Sequence, residues 1–368
     1  MNNNIQTPIE QNTTTITTRA NEPPQIPRRR FLRNLGLGAT LLGSGAALLG
    51  TSKAASMMSD SHRFRLRRDD VAILQFLAAA ELLETDLWQQ YTELALGNPA
   101  YEEALGKLDE DMGQYISDNT DDELSHANFL NAFLKSVGEK SVNLDAFRTL
   151  PSSHATGAKQ IGRLTNLTHL TVDTSWWIRY RSTGNPDFGD RFPQFINIVN
   201  FPAIPSTDLP SGSDQIQAIA NTAAFHFGTI EQGGSSLYAS LIPKASSEAV
   251  LDILTGIGGS EVNHFAIWHD KAGNAPAVSV PGVTFPDMEG FNGDPLRQKN
   301  LIMPEPCKFI SSGLPACSVI RPASTRNAGA VAAATALTNS GLFSGQSPAF
   351  FKLLVALARA ADSARRDD

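Results

Sequence analysis

Cysteine is nearly absent from this chain: its 368 residues include two, Cys307 and Cys317. A four-thiolate metal site is therefore excluded, and a two-thiol site is disfavoured because no second pair accompanies them. Positive charge is scarce as well. Thirty Lys and Arg against 37 Asp and Glu leave a formal charge of -7, and the clustered cations sit in the N-terminal part of the chain. Binding to nucleic acid needs clustered Lys and Arg on the folded body, so no nucleic-acid partner is expected. Charge of either sign amounts to 18% of residues beside 41% hydrophobic ones. That is enough apolar material for a large core, in one big domain or two ordinary ones.

Long apolar runs are few, and the one uncharged stretch that raises the question of a membrane span is residues 34–52. Its five glycines and several Ser and Thr make it weakly apolar, which favours a removable signal over an uncleaved anchor. Ahead of it, residues 1–27 are rich in Asn, Thr, Gln and Pro and read as a disordered leader. Arg28-Arg29-Arg30-Phe31-Leu32-Arg33 and the stretch behind it resemble a twin-arginine export signal, cleaved near Ser52, Ala54 or Ala55. The resemblance implies recognition by the twin-arginine export machinery and a periplasmic or extracytoplasmic location. That route is associated with proteins that fold and take up cofactors before crossing the membrane. Removing the first 55 residues, with six Lys or Arg and two Asp or Glu, takes the formal charge from -7 to -11.

Beyond residue 66 the dominant feature is helical period. Leu74, Leu77, Glu81, Glu84, Trp88, Tyr91 and Ala95 recur at spacings of three and four, which predicts a helix capped by Asp69 or Asp70 and ending at Gly97. Asn98 and Pro99 predict the N-cap and first residue of a second helix, running to Val137 with Met112, Asn119, Glu123, His126 and Leu130 on its seam. A third opens at Ser213 or Asp214 and carries Phe227, Glu231 and Tyr238; a fourth, from near Ser246 to residues 271–273, carries Leu254, Glu261, His264 and Trp268. Residues 139–212 lack the period and are too long for a plain connection, so they are expected to form a folded cover. Within it residues 160–174 suit a helix. Trp176, Trp177, Arg179, Tyr180 and Arg181 form either a lid or anion-binding surface or, as large aromatics more often do, the packing of the cover on the bundle. The expected fold is all-α: an antiparallel four-helix bundle over residues 66–272, with a long irregular insert between its second and third helices and a C-terminal extension over 273–368.

Two copies of one short pattern lie on the seams: Glu123-Leu124-Ser125-His126 and Glu261-Val262-Asn263-His264. Residues three apart share a helix face, so each Glu-x-x-His presents a carboxylate and an imidazole to one point. Glu81 or Glu84 precedes the first pair and Glu231 the second, and an unpaired carboxylate on a buried seam is costly unless it binds something. One Glu from each of two helices and one Glu-x-x-His from each of two others is the donor set of the di-iron and di-manganese bundles. Thr120 and Glu123 also fit a capping box, a competing role for that glutamate. Gly233 and Gly234 cost about 1 kcal/mol each relative to Ala inside a helix, and point to close backbone packing or a local bulge. His226 and His269 are off the ligand spacing.

The segments around Glu81-Leu82-Leu83-Glu84, Glu123-Leu124-Ser125-His126, Glu231-Gln232-Gly233-Gly234 and Glu261-Val262-Asn263-His264 resemble a ferritin-like protein of the exported, desiccation-related branch. The resemblance implies a centre of two Fe or Mn ions held by Glu81, Glu84, Glu123, His126, Glu231, Glu261 and His264, with small oxidants as further partners and a homo-oligomer as an open expectation. Family members often place an aromatic residue seven after the single Glu. Tyr238 fits after Glu231, but Trp88 follows Glu81 and Tyr91 follows Glu84, so the rule leaves both glutamates in play. The function implied is di-metal oxidoreductase chemistry on peroxide, dioxygen or Fe(II) in stress protection. The alternatives are a non-enzymatic desiccation-stress envelope protein with a weak or vestigial site, and a manganese-catalase-like enzyme. In an exported protein Cys307 and Cys317 are expected to close a disulfide. Residues 328–337 and 348–361, the second capped by Ser347, are expected to be helices docked on the bundle or a partner subunit.

Overall fold

The computed structural model describes residues 65–179, 193–291, 306–307, 317–318 and 329–366. The segments expected to be a leader and an export signal, together with Tyr180 and Arg181, lie outside the described residues. Contacts divide the chain into Met1–His62 and Arg63–Asp368, and all the described residues belong to the second unit. In chain order its elements are α1 (Arg68–Gly97), α2 (Pro99–Gly106), α3 (Met112–Ser136), β1 (Leu170–Val172), α4 (Trp176–Arg179), β2 (Ile198–Phe201), α5 (Asp214–Leu241), α6 (Glu248–Ala272), β3 (Val278–Val280), β4 (Val283–Phe285), β5 (Pro306–Cys307), β6 (Cys317–Ser318), α7 (Ala330–Asn339) and α8 (Pro348–Ser363). No helix among the described residues is long and apolar enough to cross a membrane.

The expected bundle is present. α1 packs along α3 and α5 along α6, and the seam residues Leu74, Leu77, Trp88, Phe227, Leu254 and Trp268 form its buried core. The predicted second helix, however, is two. Asn98 caps α2, its side-chain oxygen accepting from Tyr101 N at 3.1 Å, but the helix ends at Gly106. A turn follows in which Leu108 N donates to Leu105 O at 2.9 Å, and Asp109 accepts from Asp111 N at 2.8 Å. Such local side-chain bonds compete with helical ones. Leu105 and Leu108 stay buried on either side of the break, so the hydrophobic period runs across it unbroken.

The predicted cap of the first helix also acts elsewhere. α1 begins at Arg68, and the buried Asp70 accepts from Ser246 N at 2.9 Å and Ser247 N at 3.0 Å. It therefore satisfies the free N–H groups at the start of α6 from across the bundle.

Residues 160–174 are not helical; β1 pairs antiparallel with β2, Leu170 opposite Phe201. The backbone ahead of β1 finds partners outside any helix, since Leu164 N and Thr165 N both donate to Asp86 at 3.0 Å. Asp86 is fully buried on α1 and also accepts from Arg148 Nη1 at 2.7 Å. One carboxylate thus ties the cover to the bundle. Trp176 and Trp177 pack the cover as expected of large aromatics: Trp177 stacks on His269 with centroids 4.6 Å apart, and Trp176 lies against Gly228, where a Cβ would strike its ring.

At the C-terminal end Ser347 caps α8, accepting from Phe350 N at 3.3 Å, and α8 lies along α1. The β5–β6 register sets Cys307 opposite Cys317; their side chains lie outside the described residues.

Candidate metal centre

Six of the seven singled-out side chains converge midway along the bundle. Glu81 comes from α1, Glu123 and His126 from α3, Glu231 from α5, Glu261 and His264 from α6. They form two overlapping groups. In each, every residue offers one donor atom and these lie within 4.8 Å of one another: Glu81, Glu123, His126 and Glu261 in one, Glu123, Glu231, Glu261 and His264 in the other. Glu123 and Glu261 belong to both. His126 Nδ1 is 3.1 Å from Glu123 Oε2 and 3.4 Å from both Glu81 Oε2 and Glu261 Oε1. His264 Nδ1 is 3.1 Å from Glu123 Oε1 and 3.4 Å from Glu231 Oε2.

A partly matching shell of hydrogen bonds orients these donors. Tyr238 OH donates to Glu81 Oε1, leaving Oε2 facing His126. Asn119 Nδ2 donates to Glu231 Oε1 at 3.0 Å and to Glu123 Oε1 at 2.9 Å, and is itself fixed by Trp268 Nε1 on its Oδ1 at 2.8 Å. Glu231 Oε2 is left facing His264. Each terminal glutamate therefore has one oxygen tied and one turned inward. Asp122 Oδ2 lies 3.0 Å from His264 Nε2; with the proton held there, Nδ1 keeps its lone pair for the cluster.

The inward atoms are short of partners. Glu81 Oε2, Glu231 Oε2, both oxygens of Glu261 and His264 Nδ1 are buried with no hydrogen bond among the described residues. For His264 Nδ1 this holds despite the nearby carboxylates, because distance without alignment makes no hydrogen bond. Burial, reinforced by Glu231, raises the Glu123 carboxyl to about 7, and burial with Glu123 raises Glu261 well above the carboxylate range. Burial pulls the His264 imidazole down, but the Glu231 charge and contacts with Glu123 and Glu231 outweigh it and carry it up to about 12; His126 rises by the same opposition. Carboxylates packed this closely favour a bound cation, a proton or a metal ion, over an open negative charge. Four carboxylates and two neutral imidazoles carry -4, which two divalent cations cancel, and nitrogen with oxygen donors suits iron or manganese.

The donors present thus fit a pair of metal ions. The family model of the ferritin-like domain matches residues 69–274, more than half of the chain. The chain belongs to the ferritin-like domain family. No curated protein and no solved structure matches it. Within the ferritin-like domain Glu84 stands apart: it joins neither group and is half-buried. Thr120 caps nothing, since its hydroxyl donates to Ile116 O inside α3. At Gly234 the expected close approach is found without a bulge: α5 is continuous, and a Cβ there would fall inside contact distance of Glu261 Oε2. His226 binds Tyr91 instead, Nδ1 to OH 2.8 Å. The roles of Asn119, Trp268 and Asp122 went unread in the sequence. Asn119, an amide four residues before Glu123 on an apolar seam, was the visible signal for the first; Asp122 lies off the seam and meets His264 only through the fold.

Proposed function

We propose that the ferritin-like domain holds two iron or manganese ions and that the exported protein uses them on peroxide, dioxygen or Fe(II) in protection against oxidative stress. The observation that carries this reading is the pair of donor groups sharing Glu123 and Glu261, each completed by one His and one terminal Glu. Two such ions, when bound, share the electrons of dioxygen or peroxide chemistry. The chain's own part is positional. Glu123 and Glu261, common to both groups, would serve both ions, His126 and His264 would each hold one, and Glu81 and Glu231 would complete the two ends. Tyr238 and Asn119 keep those ends turned inward, and Asp122 holds the His264 proton away from the donor nitrogen. The buried Trp88 and Trp268 stack with centroids 5.2 Å apart, and Trp268 holds Asn119 in place.

The Arg28-Arg29-Arg30 segment supports export by the twin-arginine route, in which metal is loaded before crossing, and the facing Cys307 and Cys317 support a disulfide closed outside the cytoplasm. Metal analysis of protein exported with its N-terminal segment intact tests the reading: about two equivalents of iron or manganese are expected, and Glu123→Ala removes both. Oxygen release from peroxide, measured against Fe(II) oxidation, then sorts catalase-like from ferroxidase chemistry. Protein that carries no metal and takes up none would leave a structural stress protein.

A further inference from the structure

Beside the centre lies a cavity of about 610 Å³, a volume that suits a small organic molecule. α1 and α5 form one wall, with Phe76, Ala80 and Leu83, and β2 and α7 form the other. Two positions connect it to the centre. Gly234 lines it while its backbone abuts the Glu261 carboxylate. Glu84 also lines it and lies close enough to Glu261 and Glu81 for their charges to act on it. It sits among buried carboxylates and is nonetheless half-buried; the cavity is what exposes it.

The far end opens between Val199 and Val331, large apolar side chains left 53% and 37% exposed, so the mouth as well as the walls favours hydrocarbon. The covering helix is held in place. Asp362 of α8 accepts from Ala330 N at 2.9 Å and Val331 N at 2.8 Å, and Lys244 Nζ reaches it at 3.2 Å. On one wall the buried His226 is paired through Nδ1 with the Tyr91 hydroxyl at 2.8 Å. No Lys or Arg is among the described residues that line the cavity, so an anion would find no counter-charge there.

We propose that this cavity seats an organic substrate of the centre: a mainly hydrocarbon, uncharged molecule, of the class of a medium-chain alcohol or aldehyde. The inference rests on the di-metal reading above and narrows it from small inorganic oxidants alone to an oxidant and an apolar organic molecule.

The test uses the full chain. Fluorescence of bound 1-aminoanthracene is followed while 1-decanol or decanoate displaces it, and proton relaxation of bound 1-decanol is compared in Mn(II)- and Zn(II)-loaded protein. Saturable displacement is expected, with decanoate weaker than decanol by about tenfold. Ala336→Phe, which fills the cavity from α7, weakens binding by about tenfold, and Val355→Phe, on an exposed position of α8 away from the cavity, does not. Ala332→Phe replaces the first variant if that one fails to fold. Relaxation is faster with Mn(II), whose unpaired electrons lie near the bound alcohol. Loss of displacement, equal binding by both Phe variants and wild type, or equal relaxation with the two metals, in protein carrying both ions, overturns this inference alone. Absence of metal uptake overturns the reading it rests on.

Discussion

Tyr238→Phe separates the two halves of the centre. The Tyr238 hydroxyl donates to Glu81 Oε1, and Glu81 belongs to the donor group of His126 and not to that of His264. Phe fills the same buried space, so the change removes one hydrogen bond and orphans one carboxylate oxygen, a loss of about 1–3 kcal/mol. For a domain of roughly 200 residues this lowers Tm by about 2–12 °C in the metal-free protein. In the loaded protein Glu81 is freed to turn, and loss of such an orienting bond weakens metal binding by about 10- to 100-fold. The weakening falls on one ion of the two. Competition with a graded series of chelators, read by metal analysis, should show one equivalent released early and the other retained as in wild type. Equal weakening of both ions, or of neither, would refute the assignment of Glu81 as a terminal donor on the His126 side.

Asp122→Asn should weaken the other ion, by about tenfold and no more, because solvent around a side chain 56% exposed screens its charge; the same chelator series reads it. Gly234→Ala drives a Cβ into Glu261, which both donor groups share, so both ions should be lost together in metal analysis. The pH dependence has a definite sign. Glu123 is raised from 4.5 to about 7 and His264 from 6.5 to about 12, so the metal-free fold binds more protons than the unfolded chain. The contribution of Glu123 to metal-free stability is full below about 4.5 and lost as pH rises through about 7, and that of His264 goes on falling toward about 12. Metal binding, which displaces those protons, strengthens over the same range. The Tm gap between loaded and metal-free protein should therefore widen as pH rises, and a gap that narrows would contradict the proton count.

The sequence disclosed those parts of the centre that depend on spacing along one helix. Glu123 with His126 and Glu261 with His264 are three apart on buried seams, and no tertiary information is needed to put them on one face. Choosing between Glu81 and Glu84 was beyond it, since both sit on the α1 seam and both have an aromatic residue seven positions later. What distinguishes them is a phenol from α5, 157 residues away in sequence. The break between α2 and α3 was hidden for a related reason: Leu105 and Leu108 are both buried, and burial is all that a hydrophobic period reports. Asp69 and Asp70 were equal candidates for capping α1, yet Arg67 stands at its N-cap position and Asp70 accepts from Ser246 N and Ser247 N at the start of α6 instead. Capping residues, unlike seam residues, can exchange partners across the bundle without any change in their own neighbourhood.

The two halves of the centre repeat each other in donors and differ in support, and this asymmetry has a consequence for loading. On the His264 side Asp122 fixes the imidazole, and Asn119, itself held by Trp268, fixes Glu231. On the His126 side Tyr238 fixes Glu81, but among the described residues no hydrogen bond reaches His126 Nε2, and that side chain is 11% exposed against 4% for His264. A donor set whose orientation is already fixed binds without the entropy of ordering it. The His264 side should accordingly fill first, with an affinity about tenfold above the other, and stepwise Mn(II) titration followed by calorimetry should resolve two events. Asp122→Asn removes the main difference between the halves, so in that variant the two events should merge; a gap unchanged by the substitution would mean that the order of filling is set elsewhere, by the shared carboxylates or by access from the cavity at Gly234.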